Sequence, residues 1–312
     1  MTRSMPRPIR TVSVVDTRSV FTTIGIAWRT TQPTGQHQPS RSLRRVLEQG
    51  ELSPAAARPV HSQWRSGEGA ESVVVSLPED NVLEWVRHIE GLWLAFPVVH
   101  PVIAIAGSED IVQQLHQAVG TPIPSAVPSA TLPCAMRQTQ QQGFTHTALR
   151  GPDASHRVGH AATLVALSAL NEGPALSLQT ALQRSGNYSR IDIRRTLEAA
   201  TPAIQWAVTS EAKRSIETLE TVAGLADELA HITSADPTEA IAYAQANIAH
   251  AWNAPTSLVQ AMAQYEVMGW GGQLIANPDR AFDGVEDSLP EAFAGLLLPL
   301  TNVVDSRRSV LV

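Results

Sequence analysis

Residues 121–133, Thr-Pro-Ile-Pro-Ser-Ala-Val-Pro-Ser-Ala-Thr-Leu-Pro, carry prolines at 122, 124, 128 and 133. Each proline removes a backbone donor and biases the residue before it toward extended conformations, so no helix or interior strand runs through the stretch. The segment reads as an exposed, extended connector. The chain must therefore be assembled from what lies on its two sides.

On the N-terminal side, strand-like and helix-like stretches alternate. Thr11 to Asp16 and Val20 to Trp28 place β-branched residues at period two. With the turn-like Thr17-Arg18-Ser19 between them, they predict an antiparallel hairpin. Residues 32–40, rich in Pro, Gly, Gln and Ser, read as loop, and Ser42 to Glu48 as a short helix. Glu71 to Ser76 reads as a strand. Pro78 to Leu92 has helix punctuation, with Glu79 and Asp80 in the first turn and Val82, Val86 and Ile89 on one face. Pro101 to Gly107 is a buried-type strand, and Ser108 caps a helix that runs to about Val119.

Beyond the connector the pattern is mostly helical. Val158 to Asn171, Leu178 to Arg184, Ser210 to His231, Asp236 to Trp252 and Ser257 to Gly269 repeat apolar residues at three-to-four spacing. Tyr188 to Arg194 and Ala203 to Thr209 alternate and read as a strand pair. Arg307 to Val312, ending Val-Leu-Val, reads as a last sheet strand. The order predicts an α+β layer fold with helices packed on one sheet face.

Charge and composition exclude several functions. With 23 Lys+Arg against 29 Asp+Glu the formal net charge is -6, so no basic face is expected to neutralise nucleic-acid phosphates. The lone Cys134 rules out a disulfide framework and a cysteine zinc site. The longest apolar run, 91–107, is interrupted by Pro97 and Pro101 and falls short of the roughly 20 residues a bilayer span requires. Arg3, Arg7 and Arg10 have no apolar stretch behind them, so no secretory signal is expected and the expected location is the cytoplasm.

Several segments match a known arrangement. They are the strand Val102 to Ser108, the connector 121–133, the helix Ala161 to Gly173, the segment Ala181-Leu-Gln-Arg-Ser-Gly-Asn-Tyr-Ser189 and the late helix Pro255 to Gly269, with Tyr265-Glu-Val-Met-Gly269 at its end. In this order they resemble the second domain of pitrilysin/insulinase-type metallopeptidases, over roughly residues 98–312. The resemblance implies two peptidase-type domains. On that resemblance residues 1–97 would be a shortened first domain and residues 98–312 the second, containing the connector.

The family's catalytic signature is His-x-x-Glu-His on a helix of the first domain, where the two histidines bind zinc and the glutamate is the general base. Residues 1–97 hold only His37, His61 and His88, and no two are spaced for such a pair. The resemblance therefore implies a subunit without catalytic residues or a cofactor of its own. It would bind peptide beside a zinc-bearing homologous subunit in a heterodimeric peptidase, with no nucleic acid or membrane as partner. Arg184 and Tyr188 fall near the family's Arg/Tyr pair, whose guanidinium and phenol donate hydrogen bonds to substrate carbonyls. Leu182 stands where the family has its Arg, the Gly-to-Tyr gap is one residue shorter, and Gln183 is the nearest other donor.

Other readings compete. His156-Arg-Val-Gly-His160 has the i,i+4 spacing of a helical two-histidine metal site, but Gly159 occupies the position of a general base. A helix end with one capping or solvated histidine explains it as well. Leu176 to Ala199 can be drawn as a helix-turn-helix with Arg190, Arg194 and Arg195 on the recognition helix, against the acidic charge and the alternation of Ile191 and Ile193. A stand-alone peptide-binding scaffold, or an enzyme with new chemistry at His156, His160 or Arg184, are the alternative functions.

Overall fold

The structure is a computed structural model that describes residues 10–29, 61–67, 70–95, 99–119, 133–153, 155–171, 177–186, 189–198, 201–278 and 280–308. In chain order the strands and helices begin β1 (Arg10–Val15), β2 (Phe21–Arg29), β3 (His61–Gly67), β4 (Ala70–Pro78), α1 (Val82–Ala95), β5 (Val99–Gly107) and α2 (Glu109–Val119). There follow β6 (Ala135–Gln141), β7 (Phe144–Pro152), α3 (Ser155–Val158), α4 (His160–Asn171), α5 (Leu178–Arg184), β8 (Arg190–Glu198) and β9 (Thr201–Glu211). The chain closes with α6 (Ser215–Ala235), α7 (Thr238–Ala251), α8 (Pro255–Met268), α9 (Gly272–Ala276) and α10 (Leu289–Arg308). The expected short helix at 42–48 and the connector 121–132 lie outside the described residues.

The chain packs as two compact units, residues 1–127 with 250–277 and residues 128–249 with 278–312. This division differs from the expected boundary at 97/98. The strand expected to open the second domain, β5, lies instead inside the first sheet, whose order is β1-β5-β2-β4-β3. β5 runs parallel to β1 and antiparallel to β2. The expected β1–β2 hairpin is therefore absent, because β5 separates its two strands. Val102, Ile103, Ala104, Ile105 and Ala106 are all 0–2% exposed, so this run is apolar on both faces and takes a central position where both are covered. The Asp16 N–H donates to the Gly107 carbonyl at 2.9 Å, and Arg18 grips the Asp16 carboxylate from Nε at 2.7 Å and NH2 at 2.6 Å. The 16–20 link is thereby tied across the end of β5.

Helices cover this sheet on both faces, where one was expected. Ile24, Ile26, Trp28, Val73, Val75, Leu77, Ile103 and Ile105 share a core with Trp85, Val86 and Ile89 of α1 and with Ile111 and Leu115 of α2. The alternate residues face α8. A Cβ on Gly25 would stand 2.6 Å from Val259 Cγ1 and 3.0 Å from the Val259 carbonyl oxygen, so only glycine lets this helix lie on the sheet.

The end of α8 shows what the Tyr-Glu-x-x-Gly pattern builds. Gly269, at φ 78°, closes a Schellman motif in which Trp270 N–H donates to the Tyr265 carbonyl and Gly269 N–H to that of Glu266. Two arginines from the sheet reach the same turn: Arg10 NH1 donates to the Glu266 carbonyl at 3.1 Å and Arg29 Nε to the Val267 carbonyl at 2.7 Å. The Glu266 carboxylate pairs with Arg10 at 2.9 Å and accepts the Gly272 N–H at 2.8 Å. Positive charge at a helix C-terminus offsets the macrodipole. Burial, with Arg10 as a like-charged neighbour, pulls the Arg29 guanidinium down to about 10.

The second unit carries an antiparallel sheet of order β6-β7-β9-β8. Gln142 and Gly143, at φ 52° and 82°, form the two-residue turn of the β6–β7 hairpin. Trp206 of β9 is fully buried, and its indole N–H donates to the Leu296 carbonyl of α10 at 2.9 Å. The chain end differs from the expected sheet strand: Arg307 and Arg308 belong to α10, and 309–312 lie outside the described residues. Leu289, Phe293, Leu296, Leu300 and Val304 recur at helical spacing and are buried, which fixes the helical period. Among the described residues no helix is long and apolar enough to cross a membrane.

Candidate functional site

The residues expected to touch peptide carbonyls sit at the end of α5. Ser177 caps the helix, its hydroxyl accepting the Thr180 N–H at 3.3 Å. Leu178 and Leu182 are fully buried and anchor one face, which leaves Gln183 and Arg184 exposed on the last turn. The helix stops where Ser185 N–H donates to Ala181, Gly186 N–H donates to Gln183 and Gly186 adopts φ 79°. Gln183 and Arg184 are thus both exposed to solvent at the end of α5. Tyr188 lies outside the described residues, so its pairing with Arg184 stays an expectation.

The two histidines do not share a continuous helix. Gly159, at φ 95°, separates α3, which holds His156, from α4, which begins with His160. His160 Nδ1 lies 3.2 Å from Arg195 NH2. A guanidinium only donates, so Nδ1 is the acceptor in this pair. A metal at Nδ1 would have to displace that arginine. Among the described residues no three His, Cys, Asp or Glu side chains come together in a way that could hold a metal ion.

Arg195 is the centre of a cluster that the sequence does not announce. Its Nε lies 2.9 Å from Asp153 Oδ2, with the two side chains 4% and 0% exposed. Its NH2 donates to Ser155 Oγ at 2.7 Å, and the Ser155 N–H donates to Asp153 Oδ1 at 2.9 Å. Burial alone would raise the Asp153 carboxyl, but the charge of Arg195 and the hydrogen bonds from Ser155 and Arg195 outweigh it and hold the carboxyl below its ordinary value. The group ties the end of β7 and the start of α3 and α4 to β8. The same placement overturns the helix-turn-helix alternative, because Arg190, Arg194 and Arg195 lie on a strand.

No family model matches the sequence, and no curated protein matches it. Solved structures nonetheless share its fold. A chain of complex III2 from Candida albicans, with Inz-5 bound, aligns at a TM-score of 0.52 and 9% identity, over 91% of this chain and 90% of that one. The periplasmic protease PqqL from Escherichia coli gives 0.52 at 11% identity, over 91% of this chain but 42% of that one. A protease from Helicobacter pylori gives 0.51 at 10% identity, over 92% and 94%. At such identities the likeness speaks for the fold alone. The chain has a mixed α+β fold that it shares with these chains, two of which are proteases.

Proposed function

We propose that this chain is a non-catalytic, peptide-binding subunit of a heterodimeric zinc peptidase, lending carbonyl-binding groups to a zinc-bearing homologous partner. The observation that carries the reading is a chain with a fold shared by two proteases whose 312 residues contain no His-x-x-Glu-His. Zinc and general base then belong to the partner, and this chain supplies donors such as Arg184, Gln183 and Tyr188 to the peptide backbone.

Co-expression with a zinc-bearing homologue of this fold is the first test. The expected outcome is a stoichiometric complex that cleaves peptides which neither subunit cleaves alone. Separate migration, with no gain in activity on mixing, defeats the proposal. Within the complex, Tyr188→Phe is expected to lower turnover on the order of a hundredfold without loosening the subunits. Arg184→Ala does the same unless Gln183 replaces it, which the double Arg184→Ala/Gln183→Ala variant decides.

A second reading draws on the complex III2 chain, which shows this fold inside a multi-subunit assembly. There the chain is a scaffold that keeps the fold without proteolysis. It predicts a stable partner complex whose peptide turnover is unaffected by the Tyr188 and Arg184 variants.

A further inference from the structure

β8 ends its sheet, so its outer edge has no neighbouring strand among the described residues. Four backbone groups along its 189–193 stretch are nevertheless satisfied, by two side-chain amides. Gln179 Nε2 donates to the Ser189 carbonyl at 2.9 Å, and its Oε1 accepts the Ile191 N–H at 2.9 Å. Asn171 Nδ2 donates to the Ile193 carbonyl at 2.7 Å, and its Oδ1 accepts the Ile193 N–H at 3.3 Å. In a strand the N–H and C=O of one residue point to one side and those of the next to the other. Residues 189, 191 and 193 therefore present one continuous edge, and β9 occupies the opposite side.

A primary carboxamide carries one acceptor and two donors in a plane, the complement of what a strand edge offers. Each of these two amides bonds both a carbonyl and an N–H, as the backbone of a next strand would. Asn171 is the last residue of α4 and Gln179 lies in the first turn of α5, so the two helix ends point the amides at successive stretches of β8.

We propose that Asn171 and Gln179 are a built-in lock that closes the 189–193 stretch of the β8 edge to strand addition, and that removing them lets β8 pair antiparallel with β8 of a second copy of this chain. Exposed edges template such pairing, and proteins block them by local devices. The inference goes beyond the proposed function and concerns the chain alone, so its test is independent of any partner subunit. It also directs peptide contacts to the α5 end, since the adjoining strand edge is taken.

Asn171→Leu/Gln179→Met keeps the side-chain volume while deleting the amides. The expected result is a folded protein whose mass by light scattering rises to twice that of the unaltered chain, with Ile191→Pro, which removes one outward N–H, restoring the original mass. In the unaltered chain, NMR-detected exchange should find the Ile191 and Ile193 amides protected like those of the β8–β9 ladder. Single Asn171→Leu or Gln179→Met should speed the facing amide on the order of tenfold, about what one lost hydrogen bond allows. Free-strand exchange at Ile191 and Ile193 in the unaltered chain overturns the lock, and this arm decides the matter even where the double variant fails to fold. A folded double variant that keeps the original mass overturns the pairing.

Discussion

Each unit buries arginines, and the two arrangements differ in what holds the charge. In the first unit Arg10 and Arg29 end on the Glu266 and Val267 carbonyls at the C-terminus of α8, with the Glu266 carboxylate as added partner. In the second unit Arg195 ends on the Asp153 carboxylate, a Ser155 hydroxyl and a His160 ring nitrogen. Backbone carbonyls are present at any helix end and survive side-chain substitution. Arg195 leans on side-chain groups, the Asp153 carboxylate first among them. A guanidinium held by backbone tolerates the loss of its counter-ion better than one held by a sealed carboxylate.

The sharpest test of that contrast is Asp153→Asn. It leaves Arg195 buried without its anion, and the expected loss is about 3–5 kcal/mol of stability in denaturant titration. A loss under about 1 kcal/mol would erase the difference between the units. The same pair sets a pH dependence. The folded-state carboxyl is depressed below its unfolded value, near 3.9, so its contribution is complete above that value and drains away as pH falls through the lower folded-state value. Acid titration of stability should be shallower in Asp153→Asn than in the unaltered chain, and identical slopes would count against the assignment.

Gly25→Val comes next, because its Cβ meets Val259 side chain and backbone together and α8 cannot retreat without uncovering the sheet. The expected destabilisation is about 1–3 kcal/mol, read as a lower melting temperature. Glu266→Gln should cost less than Asp153→Asn, about 1–2 kcal/mol, since the two carbonyls continue to hold Arg10 and Arg29. Equal costs for the two substitutions would break the comparison. The smallest effect has the opposite sign: Gly224 sits inside α6 with open space around its Cβ position, so Gly224→Ala should stabilise by roughly 0.5–1 kcal/mol.

Much of the architecture was legible in local patterns. The helices α1, α2, α5, α7 and α8 and the strands β4, β5, β8 and β9 follow from period, caps and punctuation, and Ser108 and Gly269 mark ends where the structure has them. The exposed placement of Gln183 and Arg184 also follows, because Leu178 and Leu182 claim the buried face of α5. The misreadings have separate physical causes. A β1–β2 hairpin is the cheapest local pairing, and it loses to a β5 that must be covered on both faces. The β6–β7 hairpin escaped notice because all seven residues of β6 are exposed and lack an apolar face to reveal a period.

By itself the sequence determined the α+β class, the absence of His-x-x-Glu-His in these residues and the ends of most helices, because these depend on neighbours within a few positions along the chain. Tertiary structure alone decided which strands meet, that residues 250–277 return to the first unit, and that Arg195 finds Asp153. It also decided that two amides lie along the edge of β8. These outcomes join residues from 10 to more than 250 positions apart, through burial on both faces of a sheet and through the need of every buried charge or strand edge for a partner. No local pattern encodes such a requirement, since many partners along the chain would satisfy it equally until packing selects one.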